Sequence, residues 1–148
     1  GWRGIAFETF FEEVLERYGF EVVDTPEKLH SKSFVRGKNY PGCRHKPHCR
    51  PDFLFEDFII DTKTGFAAKR QKGQLDRYLG HRPVLWIVTL GDSPKYITKK
   101  KGIINVINFS DVIKRSKEIL GVEIDPSENQ NLTKAMNNAK WDPFVDLE

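Results

Sequence analysis

The sequence predicts an α/β domain in which a mixed central sheet is flanked by helices. Three observations carry that expectation. The chain opens on an amphipathic helix, its centre holds two short apolar runs separated by two residues, and a near-continuous apolar run follows a second helix. In chain order the pattern is helix, strand, hairpin, helix, buried strand, strand, helix.

Gly4 to Tyr18 reads as the first helix. Phe7, Phe10, Phe11, Val14, Leu15 and Tyr18 recur at helical spacing, and Gly19 stops it. Glu8 falls on the rim of the apolar stripe, while Glu12, Glu13 and Glu16 fall on its wet side. Phe20 to Val23 reads as a short strand. Thr25 to Arg50 is basic and punctuated by Pro26, Gly37, Pro41, Gly42 and Pro47, so it reads as a long loop with room for a short helix near Pro26. Phe53-Leu54-Phe55 and Phe58-Ile59-Ile60 flank Glu56-Asp57 and form an antiparallel hairpin if those two residues turn. Phe66 to Leu79 reads as a helix ended by Gly80 and Pro83. Pro83 to Leu90 is apolar almost throughout, as a strand buried on both faces requires. Tyr96-Ile97-Thr98 is an edge strand or a loop. Ile103 to Phe109 is a further strand, and Ser110 caps a helix that runs to Leu120. A folded domain over 1–124, with 25–50 as a basic loop insertion, and a polar tail or terminal helix over 125–148 are therefore expected. Within that last stretch a lone helix fits Leu132 to Ala139, and Trp141-Asp142-Pro143-Phe144 suits either a disordered tail or a partner contact.

At 148 residues the chain can bury one real core. No apolar run reaches the roughly 20 residues of a membrane span, and no signal-peptide pattern opens the chain. Two cysteines do not make a secreted disulfide scaffold, so an intracellular protein is expected, cytoplasmic or encoded by a virus or plasmid within a host cell. The start at Gly1-Trp2-Arg3, without methionine, fits a trimmed or excised domain. The sequon at Asn131-Leu132-Thr133 has no secretory context. Net charge is only +3, but residues 25–117 hold 20 Lys and Arg against 8 Asp and Glu, while the two ends hold 4 against 13. A basic middle of this kind suits a polyanion such as nucleic acid. A lysine-rich soluble surface has the same composition.

The hairpin carries the sharpest chemical signal. Counting outward from its turn, Leu54 faces Ile59, Phe53 faces Ile60 and Asp52 faces Asp61. Opposed residues share a face with Cβ atoms about 5 Å apart, and Lys63, two residues on, joins that face. Two acids opposed across a sheet repel, and a bound divalent cation would remove the repulsion. A strand start after a proline, beside a solvated face, is the plainer alternative.

With these residues in place the chain resembles the PD-(D/E)XK nuclease superfamily. Gly4-Ile5-Ala6-Phe7-Glu8 looks like its first-helix motif, Pro51-Asp52 like its first strand acid, and Asp61-Thr62-Lys63 like its D-x-K element. Gln74-Leu75-Asp76-Arg77-Tyr78 looks like the Q-x-x-x-Y helix motif of the RecB-like exonuclease branch, while the first motif is also similar to that of archaeal Holliday junction resolvases. The resemblance spans Gly4 to Tyr78, with compatible strands to Phe109, and ends by about Gly121. The loop between Val23 and Arg50 is longer than a minimal member needs.

The resemblance implies a restriction-endonuclease-like core and a Mg²⁺- or Mn²⁺-dependent deoxyribonuclease, acting as an endonuclease or exonuclease in DNA repair or recombination. It implies that Asp52, Asp61 and the Thr62 carbonyl hold the metal, that Glu8 reaches it through water or holds a second ion, and that Lys63 orients the attacking water. Gln74 would bond near the metal or Lys63, and Tyr78 would pack beneath or touch a phosphate. Arg70, Lys72, Arg77 and Arg82 would bind DNA phosphates. A junction or branched-DNA resolvase acting as a homodimer, and a non-catalytic nucleic-acid-binding module of a larger nuclease or helicase assembly, are the alternatives. Separately, Cys43, His45, His48 and Cys49 are the ligand types of structural Zn²⁺. Their spacing is tight for it, and a Cys43–Cys49 disulfide or a metal-free basic DNA-contact loop competes with that reading.

Overall fold

The structure is a computed structural model that describes residues 2–37, 50–65, 68–91, 96–99 and 102–141, with side chains described for 2–37, 50–65, 74–91 and 102–139. The helices are α1 (Trp2–Arg17), α2 (Ala68–Leu79), α3 (Phe109–Lys114), α4 (Ser116–Leu120) and α5 (Glu128–Trp141). The strands are β1 (Glu21–Val23), β2 (Ser33–Arg36), β3 (Phe53–Leu54), β4 (Phe58–Lys63), β5 (Val84–Thr89), β6 (Tyr96–Lys99) and β7 (Gly102–Asn108), and a 3-10 turn covers Pro26–Lys28.

The strands form one mixed sheet in the order β1-β2-β3-β4-β5-β7-β6. β4, β5 and β7 run parallel, so Lys63, Thr89 and Asn108 lie side by side at one end. β3 is antiparallel to β2 and to β4. Successive residues of a strand face opposite ways, and this alternation divides the core. Phe34, Phe53, Ile60, Val88 and Ile107 pack on one face with α1, α3, α4 and α5. Val35, Leu54, Ile59, Leu85, Ile87, Ile104 and Val106 pack on the other face, against Leu75, Tyr78 and Leu79 of α2. This is the expected α/β arrangement of a mixed sheet between helices. No helix among the described residues is long and apolar enough to cross a membrane.

Three expectations require correction. Part of the supposed loop after Thr25 is strand β2, all four residues of which are buried. It lies inside the sheet between β1 and β3, and Ser33 tolerates burial because its hydroxyl donates to the His30 carbonyl (3.1 Å) and accepts from the His30 N–H (2.8 Å). The helix expected from Ser110 to Leu120 is two short helices meeting at Arg115, and its cap is Asn108, whose side chain accepts from the Asp111 N–H. The stretch after residue 125 is, of the two alternatives, a helix, and it starts at Glu128 rather than near Leu132. It belongs to the core: Leu132 and Met136, one turn apart, are buried with the α1 aromatics, and buried Glu128 takes both arms of the Arg17 guanidinium at 2.8 and 3.2 Å. Tyr96–Lys99 is the edge strand. Residues 142–148, with Phe144, lie outside the described residues.

Candidate functional site

The hairpin register is the one the alternation requires: Phe53 pairs with Ile60 and Leu54 with Ile59, and the Phe55 N–H donates to the Phe58 carbonyl. Carried one step further, Asp52 arrives beside Asp61. There the ladder ends and side chains take it over. The Asp52 N–H donates to Asp61 Oδ1 (3.1 Å). The Thr62 N–H and hydroxyl both donate to Asp52 Oδ2, at 2.7 and 2.8 Å. Each carboxylate thus accepts from the segment opposite, and the regular pairing of β3 begins only at Phe53. The Asp52 carbonyl is fixed as well, accepting from the Gly37 N–H (3.1 Å) and from Arg36 Nη1 (3.2 Å).

The cost of bringing two acids together is visible at Asp52. Asp52 keeps an exposed edge, but protein crowds its carboxyl. Burial and then the Asp61 charge push its pKa from the usual 3.8 up to about 7, against the lowering effect of the Thr62 donors. Asp61 is only 1% exposed. Its Oδ2 lies 3.0 Å from Lys63 Nζ, a salt-bridge distance, but the pair lacks hydrogen-bond alignment, and no other described group donates to that oxygen. A buried carboxylate oxygen without a hydrogen bond is costly. Lys63 Nζ donates instead to Gln74 Oε1 (3.2 Å) on α2.

Tyr78 lies one turn beyond Gln74, 1% exposed, with its hydroxyl donating to the Arg50 carbonyl (3.1 Å). It packs beneath the site and anchors the chain just ahead of Pro51-Asp52. Glu8 reaches the site from the opposite face of the sheet. It is ion-paired to Arg36 Nη2, and its pKa is raised, first by burial and then by the Asp52 charge. Arg36, which carries no periodic or motif signal in the sequence, is the residue that sequence reasoning missed. The same holds for the Thr62 hydroxyl, since only the Thr62 carbonyl was expected to matter.

The cationic residues separate. Arg77 is exposed on α2. Arg82 is tied to the Phe55 carbonyl through Nε (3.1 Å) and to the His81 carbonyl through Nη1 (2.8 Å). It therefore sits at the turn end of the hairpin. The side chains of Arg70 and Lys72 lie outside the described residues, as do Cys43, His45, His48 and Cys49.

Among the described residues no three His, Cys, Asp or Glu side chains converge as a ready metal cage. The donors available to a cation are the two carboxylates, including Asp61 Oδ2, to which no described group donates a hydrogen bond, and nearby main-chain oxygen, with Thr62 next to Asp61 in sequence. Such an all-oxygen set fits a hard divalent ion that keeps several waters. Compared with family models, with curated proteins and with solved structures, the chain matches none.

Proposed function

We propose that this chain is a divalent-metal-dependent nuclease that hydrolyses phosphodiester bonds in DNA, on a restriction-endonuclease-like core. The observation that carries the reading is the pairing of Asp52 with buried Asp61 near the end of β4, where no described group donates a hydrogen bond to Asp61 Oδ2 and Lys63 Nζ stands 3.0 Å from it. Pure nucleic-acid binding gains nothing from two opposed acids, whereas phosphoryl chemistry uses a cation and an adjacent ammonium.

Asp52 and Asp61 would hold Mg²⁺ or Mn²⁺, with the Thr62 carbonyl as a further donor. When bound, the ion would supply Lewis acidity toward the phosphate and a more acidic water. The remaining steps belong to side chains. Lys63, drawn between Asp61 and Gln74, presents an ammonium that favours the deprotonated form of the attacking water and offsets charge growing on the phosphate. Gln74 keeps that ammonium in place. Thr62 clamps Asp52, and Tyr78 anchors the strand that carries it. Arg77, with Arg70 and Lys72 of the same helix, would meet flanking phosphates.

The test is cleavage of end-labelled linear, circular single-stranded and four-way-junction DNA with Mg²⁺ or Mn²⁺. Wild type should cut, and Asp61→Ala and Lys63→Ala should lose at least 10²-fold in rate, the scale of losing one charge-stabilising group, while still binding DNA. The preferred substrate separates end-dependent from internal or junction cutting. Undiminished cleavage by Asp61→Ala would overturn the assignment. Salt-sensitive binding without cleavage of any substrate would favour a binding module.

A further inference from the structure

Arg36 is a buried cation built into the candidate site. It is 8% exposed, its guanidinium stacks over the Phe53 ring at 4.4 Å from the centroid, and its donors are aimed at site residues. Nη2 pairs with Glu8, Nη1 donates to the Asp52 carbonyl (3.2 Å), and Nε stands 3.5 Å from Glu12 Oε1 without a hydrogen bond. The acids of the site therefore divide into two sets. Glu8 is paired with the buried, stacked guanidinium of Arg36; Asp61 Oδ2 has only the Lys63 ammonium at 3.0 Å and accepts no aligned hydrogen bond from any described group.

We propose that Arg36 takes the place of a second cation, so that the site holds one divalent ion, on Asp52 and Asp61, and Glu8 is not among its ligands. This rests on the metal-dependent reading above. Charge balance supports it. With every acid ionised, Glu8, Glu12, Asp52 and Asp61 face Arg36 and Lys63, which leaves two negative charges in the cluster. One divalent ion neutralises them. A second would leave the cluster as positive as it began negative, in a buried place where excess charge of either sign is costly. It would also have to displace a guanidinium that is stacked, ion-paired and bonded to the main chain of Asp52. Arg36 is thus a positioning residue: it holds Glu8 away from the ion and fixes the backbone of the strand that carries Asp52.

The experiment is a titration of the metal-free protein with Mn²⁺, followed by the electron paramagnetic resonance signal of free Mn²⁺, which counts bound ions without reference to cleavage. Wild type and Glu8→Gln should each bind one ion, with dissociation constants within about threefold of each other, and Asp61→Asn should bind at least tenfold more weakly. Arg36→Met, which frees Glu8, should gain a second ion, and Arg36→Lys, which keeps the charge, should not. If Arg36→Met fails to fold, wild type and Glu8→Gln still decide. Two ions on wild type, or a tenfold loss of affinity in Glu8→Gln, would overturn the inference while leaving a Mn²⁺-dependent nuclease intact. No bound Mn²⁺ together with no cleavage would remove both.

Discussion

Asp52 is where the chemistry of the site is most exposed to measurement. Its native pKa of about 7 lies above the usual 3.8, so the folded protein holds that proton more tightly than the unfolded chain does. The resulting contribution to stability is complete below about pH 4 and is lost as pH rises through about 7. Glu8, raised for the same first reason, acts in the same direction. In chelator-treated protein the melting temperature should therefore fall between about pH 5 and about pH 8, and Asp52→Asn should flatten that fall, because the amide oxygen still accepts from Thr62 and carries no charge. Mg²⁺ added at the upper pH should restore stability to wild type and not to Asp52→Asn, since an ion that binds only the folded state raises its population. Parallel pH profiles for the two proteins would mean that Asp52 is not strained by its neighbour.

At the scale of elements, two glycines separate the site from the frame. A Cβ on Gly37 would meet the Pro51 carbonyl oxygen at 1.9 Å, and one on Gly102 would meet the Pro83 carbonyl oxygen at 2.3 Å. Both contacts are with backbone, so something must move, at a cost of about 1–3 kcal/mol. Gly37→Ala pushes on the strand that carries Asp52, whereas Gly102 lies at the opposite end of the parallel strands from Lys63. Both variants should melt earlier, but only Gly37→Ala should lose Mn²⁺ affinity and cleavage at a temperature where both remain folded. Equal activity would show that the site does not depend on the β2–β3 contact. Leu132→Ala on α5 should cost about 2–4 kcal/mol in denaturant unfolding, as a core truncation does; an effect near zero would mean that α5 is not part of the cooperative core. The same elements show what could be read in the chain. The hairpin register followed from a period of two around a two-residue turn, and α1 from its aromatic spacing, because those signals are local. β2 was hidden because Phe34-Val35 is too short an apolar run to stand out among prolines and lysines; its burial comes from β1 and β3 on either side. α5 looked like a tail because Leu132 and Met136 acquire their meaning only in the core they share with α1, more than a hundred residues away. Arg36 was invisible for a related reason: an arginine declares a role only when its partners, Glu8 and Asp52, are brought to it by the fold.

For the molecule as a whole, the uneven charge of the chain becomes a difference between layers. α1, rich in glutamate, packs with α5 on one face of the sheet, while α2, which carries Lys69, Arg70, Lys72 and Arg77, covers the other. Lys63 and Gln74 meet on the α2 side, so a polyanion that approaches the candidate site from that side comes to the basic helix α2 before the glutamates of α1. Binding to duplex DNA, measured with Asp61→Ala to prevent cutting, should therefore weaken steeply as salt rises, since each neutralised phosphate releases its counterions. The two arginines that flank the end of α2 give the prediction its discrimination. Arg77→Ala should weaken binding and reduce the salt slope by about one. Arg82→Ala should leave the slope unchanged, because its guanidinium is spent on the Phe55 and His81 carbonyls at the far end of the hairpin; its loss should appear as a lower melting temperature instead. If Arg82→Ala flattened the slope and Arg77→Ala did not, the nucleic acid would have to approach over the hairpin turn, away from Asp52, Asp61 and Lys63, and these residues would no longer be placed to act on it.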